Sequence, residues 1–486
     1  MNMKANSGNT LHSYFWLITL AVAFIMTLPV LIQDGMFIDG VLYSAVSHNL
    51  ANGIGTFWFP SFSFNNMAGI HNSFHEQPPL LFGIQALFYK VFGSSMYVER
   101  FYTFLMLLLN ILLIKKLWEK LFPDKPYLAK LSWLPVFLWI TIPVCFWSFT
   151  HNMHENTVSV FVLCSVLFLL DAIRSDRQKQ SMFYLLLSSL FVFLASFSKG
   201  LPGLFPLAAP MMFVIGNKLS MKKALMFSVV MTLVVAGVYG LLLLSDDARQ
   251  SLYNYVYLRL LKRIQDVPTT SNYLDTLFRL FFESLPMIGL TVLIKWFYRG
   301  KITNDRSFSL WSYTFLGIGL LGVMPLMLTL VQKGFYMLPA LSFVATAFAV
   351  FISREIHDLC SRLLSSGNGN SILKWTGIIL LLTSISITVL NIGKYSRNES
   401  LLKDIHTAGQ LIPPHSVINC TYDLQRDWSL QTYLSRYYFI SLDTNAPHEF
   451  YLADKTEYTL QKDGELKEFR VISDRFEQFV LLKRGL

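Results

Sequence analysis

The sequence has little charge for its length. Charged residues make up 14% of its 486 residues, against roughly 25% in soluble globular proteins. Hydrophobic residues make up 53%, and the mean hydropathy is +0.45. This composition excludes a soluble domain over most of the chain. Because long apolar runs recur at about the 20 residues that a helix needs to cross the hydrocarbon core, we predict an α-helical multi-pass membrane protein.

Cysteine is also scarce, with four residues in the chain. Two of them lie in apolar runs and the others stand alone, so the spacing predicts no disulfide framework. The net charge of +10 comes from short basic clusters between apolar runs. Clusters placed in this way are typical of cytoplasmic loops, so membrane lipids are predicted partners and nucleic acid is not.

About 11 transmembrane helices are predicted from the apolar runs. The first run has no small-residue cleavage site, and we interpret it as a retained helix rather than a signal peptide. The runs at 182–197 and 201–217 are the two shortest, and Lys199-Gly200-Leu201-Pro202-Gly203 interrupts the chain where they meet. The predicted spans are 14–32, 97–117, 128–147, 156–174, 182–197, 201–217, 222–244, 282–299, 310–330, 335–353 and 373–393.

The loops 34–79 and 148–155 have no Lys or Arg, whereas the loops between them and further on are basic. Cytoplasmic loops carry an excess of these residues, so this alternation predicts a cytoplasmic N-terminus. An odd number of spans then places the C-terminus outside. We therefore expect a protein of the cytoplasmic (inner) membrane whose C-terminal domain is periplasmic or otherwise extracytoplasmic.

Two regions follow from this topology. Residues 1–395 are predicted to form the transmembrane domain, with long outside loops at 34–96 and 245–281. Within the first loop, the amphipathic stretch Leu80–Phe92 is expected to lie along the membrane interface. Residues 396–486 have an ordinary soluble composition. Their alternating apolar stretches at 469–472 and 479–482 predict a small α/β domain.

Two acids, Asp34 and Asp39, directly follow the first span. A carboxylate at the membrane boundary is placed to act as a general base. On spacing alone, a pair of ordinary interfacial acids explains them equally well.

The run His75-Glu76-Gln77-Pro78-Pro79-Leu80 has two prolines that fix its backbone. His75 and Glu76 are potential ligands of a divalent metal ion, which would need a third ligand such as His71 or His48. The alternative is a polar loop stiffened by proline. We therefore expect no required cofactor and an optional divalent ion.

On the predicted outside face, Glu155 opens the fourth span, where it serves either as a second catalytic acid or as a helix cap. Lys199 and Lys333 lie on the same face against the charge rule. Cations beside flexible glycines suggest a bound phosphate, and snorkelling is the alternative. With Arg263 in the second loop, they would form a basic collar around a lipid phosphate.

These residues resemble, in order, those of the C-type membrane glycosyltransferases that use polyprenyl-phosphate sugars, especially the aminoarabinose transferase and protein O-mannosyltransferase branch. The similarity covers residues 14 to about 350. The matching features are Asp39, Tyr43-Ser44-Ala45, the acid-x-Pro-Pro-Leu run from Glu76 to Leu80, Phe92-Gly93, Arg100, Glu155, the run 199–203 and Lys333-Gly334-Phe335-Tyr336-Met337-Leu338-Pro339.

The resemblance implies an inverting transfer of a sugar from a polyprenyl-phosphate donor to a lipid, glycan or protein acceptor of the cell envelope, as in lipopolysaccharide or protein glycosylation. It implies that Asp39 is the base or an acceptor-orienting acid. It further implies a metal position at Glu76, and a lipid phosphate held by Lys199, Lys333, Tyr336 and Arg263.

The sequence departs from the aminoarabinose branch at Gln77, where a Lys is usual, and at Arg259 and Leu260, where an acid and a His are usual. Gly40 stands where the mannosyltransferases have a second acid. These changes leave the sugar and acceptor open. A lipid or sugar transporter and a ligase or polymerase of lipid-linked glycans are the alternatives. Charge concentrated at one face, rather than in mid-membrane, favours the enzyme over the transporter.

Overall fold

The structure is a computed structural model that describes residues 2–63, 73–261, 269–300, 302, 306–365, 369–461, 466–473 and 475–485. The chain folds as two compact units. The first unit consists of residues 1–30 and 103–391, and the second consists of residues 31–102 and 392–486. The second unit therefore combines most of the predicted first outside loop with the C-terminal tail.

Long apolar helices build the first unit. Two of its helices, α1 and α4, include residues that belong to the second unit. The helices are α1 (Asn2–Leu31), α4 (Tyr97–Leu121), α5 (Pro126–Ala129), α6 (Trp133–Ile140), α7 (Pro143–Thr150), α8 (Glu155–Arg174), α9 (Gln178–Lys199), α10 (Ala209–Ile215), α11 (Met221–Leu242), α12 (Asp246–Tyr253), α13 (Asp275–Glu283), α14 (Leu285–Phe297), α15 (Arg306–Val323), α16 (Leu338–Ser365) and α17 (Gly369–Leu390). Short 3₁₀ turns cover Leu201–Gly203, Phe205–Ala208, Met324–Leu328 and Gly334–Met337, and a π-helical segment covers Asn254–Leu261.

The described helices include eight that are long and apolar enough to span a membrane, or ten if two bent pairs each count as one span. The bent pairs are α5–α6 with α7, at 79°, and α13 with α14, at 55°. Ten of the eleven predicted runs correspond to these helices. The eleventh run, 201–217, is a shorter apolar segment, Leu201–Ile215, because Pro202, Pro206 and Pro210 divide it into 3₁₀ turns and a short helix.

The second unit begins with α2 (Ile38–Ala51) and α3 (Leu80–Phe92) and continues in the tail with α18 (Glu399–Leu411), α19 (Tyr422–Arg426), α20 (Trp428–Tyr438) and α21 (Lys455–Gln461). The strands are β1 (Val417–Cys420), β2 (Ser441–Asp443), β3 (Phe450–Asp454), β4 (Phe469–Ser473) and β5 (Phe479–Arg484). They form one sheet in the order β2-β1-β3-β5-β4.

The sheet is mixed. β2, β1 and β3 are parallel, with Ile418 opposite Leu442, whereas β5 runs antiparallel to both β3 and β4. The alternating stretches seen in the sequence at 469–472 and 479–482 are the paired strands β4 and β5. The predicted fold class, a helical membrane protein with a small α/β domain at the C-terminus, is therefore confirmed.

Candidate active site

In the first unit, Glu155 and Lys199 form a buried ion pair. A turn of three residues joins α8 to α9, so the first residue of α8 and the last residue of α9 lie at the same end of this helical hairpin. The ammonium of Lys199 is 3.1 Å from Glu155 Oε1, and the two side chains are 8% and 2% exposed. The hairpin thus holds a cation, already paired, at one end of two predicted spans.

Gly200 and Gly203 have a steric reason to be glycine. Gly200 has a φ of +74°, and a Cβ there would lie 1.9 Å from the hydroxyl oxygen of Tyr255. A Cβ on Gly203 would lie 2.3 Å from the carbonyl carbon of Ala195 on α9. The run 199–203 can therefore turn back on α9 beneath Tyr255 only with glycine at both positions.

Tyr336 joins this cluster from a distant part of the chain. It lies in the 3₁₀ turn Gly334–Met337, and its ring centroid is 5.7 Å from Lys199 Nζ. The neighbouring Phe335 stacks on Trp147, with a centroid separation of 5.8 Å. Lys333 precedes the turn and is exposed. Glu155, Lys199 and Tyr336 are thus brought together, with Lys333 three residues from Tyr336.

Gln332 holds the loop that carries Lys333, a role that the sequence analysis missed. Its side chain is buried, and its Oε1 accepts hydrogen bonds from Thr276 N at 2.8 Å and from Thr276 Oγ1 at 2.5 Å. Its Nε2 donates to the carbonyl oxygens of Tyr273 at 3.0 Å and Thr329 at 2.8 Å. Its backbone N–H donates to Thr269 Oγ1 at 2.8 Å. The sequence signal that could have identified Gln332 is its place directly before the candidate cation Lys333.

Arg263, the predicted loop cation, lies outside the described residues. Another arginine of the second predicted loop, Arg279, lies beside the loop of Lys333. A Cβ on Gly334 would be 3.6 Å from Arg279 Nη1, and Arg279 Nε donates to Asp275 at 2.7 Å. The described part of this loop therefore does contribute a guanidinium to the neighbourhood of Lys333.

In the second unit, Asp39 lies in the first turn of α2 and is half-buried. A carboxylate at this place interacts favourably with the N-terminal end of the helix. The flanking residues Met36 and Val41 are buried in the hydrophobic core of the tail. Asp39 is therefore a partly accessible acid on a firmly packed backbone.

Asp34 differs from Asp39, because its carboxylate is fully engaged. It accepts hydrogen bonds from His406 Nε2 at 2.8 Å, Tyr437 Oη at 2.6 Å and Gly35 N at 2.6 Å, and Arg100 lies 3.6 Å away. Burial opposes ionisation of Asp34. The hydrogen bonds from His406 and Tyr437, with the charge of Arg100, outweigh burial and hold its pKa below the ordinary value. Of the two interfacial acids, Asp34 therefore has a structural role.

His75 and Glu76, the predicted metal position, lie in the same unit as Asp39. His75 Nε2 is 2.6 Å from Ser73 Oγ, and its ring packs edge-on against Phe59. Among the described residues, no group of three or more His, Cys, Asp or Glu is arranged to hold a metal ion. The suggested third ligand His71 lies outside the described residues. The metal position remains a prediction.

His48, the other suggested third ligand, is enclosed by aromatic rings. It stacks on Phe439 at 4.6 Å and contacts the edge of Tyr89 at 5.1 Å. Burial, followed by the charge of Arg436, lowers the pKa of His48 to about 3. His48 is therefore a neutral residue of the interior.

Gln77 connects two of the motifs found in the sequence. Its Nε2 donates to the hydroxyl of Tyr43 on α2 at 2.5 Å, and the Tyr43 ring packs edge-on against Phe82 of α3. The acid-x-Pro-Pro-Leu run is thereby attached to the helix that carries Asp39. Gln77, which stands where the aminoarabinose branch usually has Lys, thus has a defined contact with α2.

A second buried ion pair joins α4 to the tail. Arg436 Nη2 is 2.7 Å from Glu99 Oε2, and Tyr89 Oη donates to the same carboxylate at 3.0 Å. Arg436 also donates to the carbonyl oxygens of Ser94 and Ser95. Arg436 and Glu99 were not identified from the sequence, because 337 positions separate them.

Comparison with known proteins relates the chain to membrane glycosyltransferases. Residues 76–243 match the family model described as dolichyl-phosphate-mannose-protein mannosyltransferase. A comparison with curated proteins finds no match.

Solved structures share the fold. ArnT from Cupriavidus metallidurans bound to undecaprenyl phosphate aligns with a TM-score of 0.64 at 13% identity, over 96% of this chain and 97% of that chain. The apo state of the same protein gives a TM-score of 0.62 at 13% identity, with 96% of each chain covered. The apo oligosaccharyltransferase of Archaeoglobus fulgidus gives 0.50 at 14% identity, over 88% of this chain and 64% of that chain. The predicted resemblance to C-type membrane glycosyltransferases is confirmed, and the chain is an integral membrane protein of this fold.

Proposed function

Starting from the fold of a C-type membrane glycosyltransferase, we propose that the chain transfers a sugar from a polyprenyl-phosphate donor to a lipid, glycan or protein acceptor, with inversion at the anomeric carbon. The family match at residues 76–243 supports sugar transfer. The undecaprenyl phosphate named for the Cupriavidus protein supports a lipid-phosphate ligand. The sugar and the acceptor are properties that the experiment below identifies.

The buried pair of Lys199 and Glu155 under Tyr336 is the observation that carries the proposal. Departure of a polyprenyl phosphate builds negative charge on its oxygens, which a preorganised cation stabilises. Lys199 is 3.1 Å from Glu155 and so is held in place before a phosphate arrives. Glu155 acts through Lys199, and the hydroxyl of Tyr336 is a further donor for the phosphate. Lys333 adds an exposed cation on the adjoining loop.

Asp39 is the proposed general base. The attacking acceptor hydroxyl must lose its proton as the bond to the anomeric carbon forms, and a carboxylate within hydrogen-bond reach accepts it. Asp39 is half-buried, and its carboxylate is at the start of α2. Asp34 is unsuited to this task because His406, Tyr437 and Arg100 occupy its carboxylate. The reaction as proposed uses side chains of this chain alone, and a divalent ion at His75 and Glu76 is optional.

We place the reaction at the extracytoplasmic face of the cytoplasmic membrane. The loop 34–79, which carries Asp39, has no Lys or Arg in its sequence, as expected for a loop that is exported. The lipid tail of the donor requires a site at the membrane boundary. The tail from residue 396 would lie on this same side.

The proposal is tested by comparing the envelope glycans and glycoproteins of a deletion strain with those of its parent by mass spectrometry. We expect one sugar mass to be lost and to be restored by the wild-type gene. Asp39→Asn should insert normally, as judged by its amount in membranes and its melting temperature, yet restore none of the product. Asp423→Asn, which alters an exposed acid of the tail, is the matched control and should restore all of it.

Full restoration by Asp39→Asn would contradict the assignment of the base. Loss of several unrelated glycans at once would instead favour a transporter of lipid-linked sugars. Purified protein that holds no bound divalent ion and is active in a metal chelator would remove the ion at His75 and Glu76.

A further inference from the structure

The segment between the first span and α2, residues 34–37, is bonded along its backbone to the C-terminal tail. Asp34 N donates to Lys394 O at 2.9 Å, and Ser396 N donates to Asp34 O at 2.7 Å. The hydroxyl of Ser396 donates to Gly35 O at 2.7 Å. These bonds join residues about 360 positions apart in the chain.

Gly35 makes this close approach sterically feasible. It has a φ of +86°, and a Cβ there would lie 2.7 Å from the carbonyl oxygen of Arg397. A side chain at position 35 would therefore push the tail away from the segment that leads to Asp39.

Tyr433, on α20 of the tail, holds the next residue through both of its backbone polar groups. Its hydroxyl donates to Met36 O at 3.1 Å and accepts a hydrogen bond from Met36 N at 3.0 Å. Tyr433 is fully buried, so neither bond competes with bulk water. Met36 is three residues before Asp39, and α2 begins between them at Ile38.

Hydrophobic packing also fixes the backbone that follows Asp39 in the sequence. Val41 and Met36 belong to the tail core, together with Leu402, Ile405 and Ile418. Asp39 is thus flanked in sequence by two residues that the tail buries, while its own side chain stays half-exposed.

We propose that the C-terminal tail positions Asp39 and that Tyr433 is the positioning residue through which it acts. The inference rests on the proposed function, because it assigns the tail a part in placing the general base. A general base must lie within a few tenths of an ångström of its productive position, and a misplacement of about 1 Å costs on the order of a hundredfold in rate. The contacts that set the position of Asp39 come from the tail, which bonds to residues 34–37 directly before α2.

Tyr433→Phe tests the proposal, because it removes both hydrogen bonds to Met36 and retains the ring. The matched control is Tyr451→Phe, which removes a tail hydroxyl that donates to Glu457 at 3.3 Å. Three quantities are measured for each full-length variant. They are the sugar product formed in complemented deletion cells per amount of membrane protein, the affinity of the purified protein for undecaprenyl phosphate, and the melting temperature.

We expect Tyr433→Phe to form product roughly tenfold to a hundredfold more slowly, with unchanged affinity for undecaprenyl phosphate. Tyr451→Phe should match the wild type in both respects. A merely structural role would lower product and affinity together, in proportion to the fall in melting temperature.

Wild-type product formation by Tyr433→Phe, in a system where Asp39→Asn is inactive, would overturn the inference and leave the proposed function intact. Wild-type product formation by Asp39→Asn would overturn the proposed role of Asp39 itself. Equal losses of product in Tyr433→Phe and Tyr451→Phe would also contradict the inference. Product formation would then respond to any lost tail hydroxyl and not to the bonds between Tyr433 and Met36.

Discussion

At the scale of single residues, the pair of Lys199 and Glu155 has both an electrostatic and a structural consequence. Removing one member of a buried ion pair leaves an uncompensated charge and costs about 3–5 kcal/mol. Lys199→Ala should therefore lower the melting temperature strongly as well as weaken binding of undecaprenyl phosphate. That variant alone cannot separate a phosphate ligand from a structural cation.

A double variant, Lys199→Met with Glu155→Gln, separates the two roles. It removes both charges, so the melting temperature should return most of the way to that of the wild type. Affinity for undecaprenyl phosphate, measured by microscale thermophoresis, should stay as low as in Lys199→Ala. Recovery of the affinity together with the stability would contradict a role for Lys199 in binding phosphate.

Asp34 gives a prediction about pH. Its pKa is lowered in the folded protein, so the carboxylate stabilises the fold above its unfolded pKa of about 4. This contribution is lost as the pH falls through the lower, folded pKa. Asp34→Asn should thus melt at a lower temperature than the wild type at pH 7, and the difference should shrink progressively below about pH 4. Melting temperatures between pH 7 and pH 3 check this, with Asp423→Asn as control; a gap that widens in acid would contradict it.

At the scale of elements, the loop 329–337 depends on Gln332 for its shape. The buried amide bonds to Thr276, Tyr273 and Thr329, while Lys333 beside it is exposed. Lys333→Ala should weaken binding of undecaprenyl phosphate by removing one exposed charge. Gln332→Ala should weaken the binding as well and, in addition, lower the melting temperature by leaving the buried N–H and hydroxyl of Thr276 without their acceptor, at about 1–3 kcal/mol each.

The two variants are compared by titrating each with undecaprenyl phosphate and by thermal unfolding. Lys374→Ala, an exposed lysine on α17, is the control. Unchanged affinity in Lys333→Ala would count against the phosphate collar, whereas unchanged affinity in Gln332→Ala alone would show that the loop keeps its shape without the amide.

Elements were the part of the fold that the sequence predicted best. Length and hydropathy located the spanning helices, and amphipathic period located Leu80–Phe92 and the strands β4 and β5. Both signals are local, since each depends on neighbouring residues that share one environment. The segment 201–217 was predicted as a span, but three prolines divide it into 3₁₀ turns and a short helix. Hydropathy averaged over a window does not reveal such breaks.

Contacts between distant residues left no comparable signal. Nothing near Asp34 in the sequence indicates that His406 and Tyr437 bond to it, and nothing near Glu99 indicates Arg436. The two interfacial acids therefore looked equivalent in sequence, although one is enclosed by partners and the other is half-exposed. Glu155 and Lys199 were found from their place on the predicted outside face. Tyr336 was found through the ordered resemblance, which conveys long-range placement that composition lacks.

At the scale of the whole molecule, the division into two units does not follow the order of the chain. The second unit takes residues 31–102 from the start and 392–486 from the end. Its segments share one hydrophobic core and the fully buried pair Arg436–Glu99. Segments that share a core and a buried ion pair are expected to unfold together. We therefore predict that the first loop and the tail form one cooperative unit.

Arg436→Ala tests this cooperativity in the full-length protein. It leaves Glu99 buried without its cation, at a cost of about 3–5 kcal/mol. Amide hydrogen exchange followed by mass spectrometry should then speed up in residues 34–51 and 417–443 to the same extent, because both segments exchange through one shared opening. Residues 155–199, in the other unit, should keep their protection. Arg426→Ala, which removes an exposed tail arginine lying over Tyr422, should change neither segment. Faster exchange confined to 417–443 would mean that the first loop is stable without the tail, and positioning of Asp39 by the tail would then lose its physical basis.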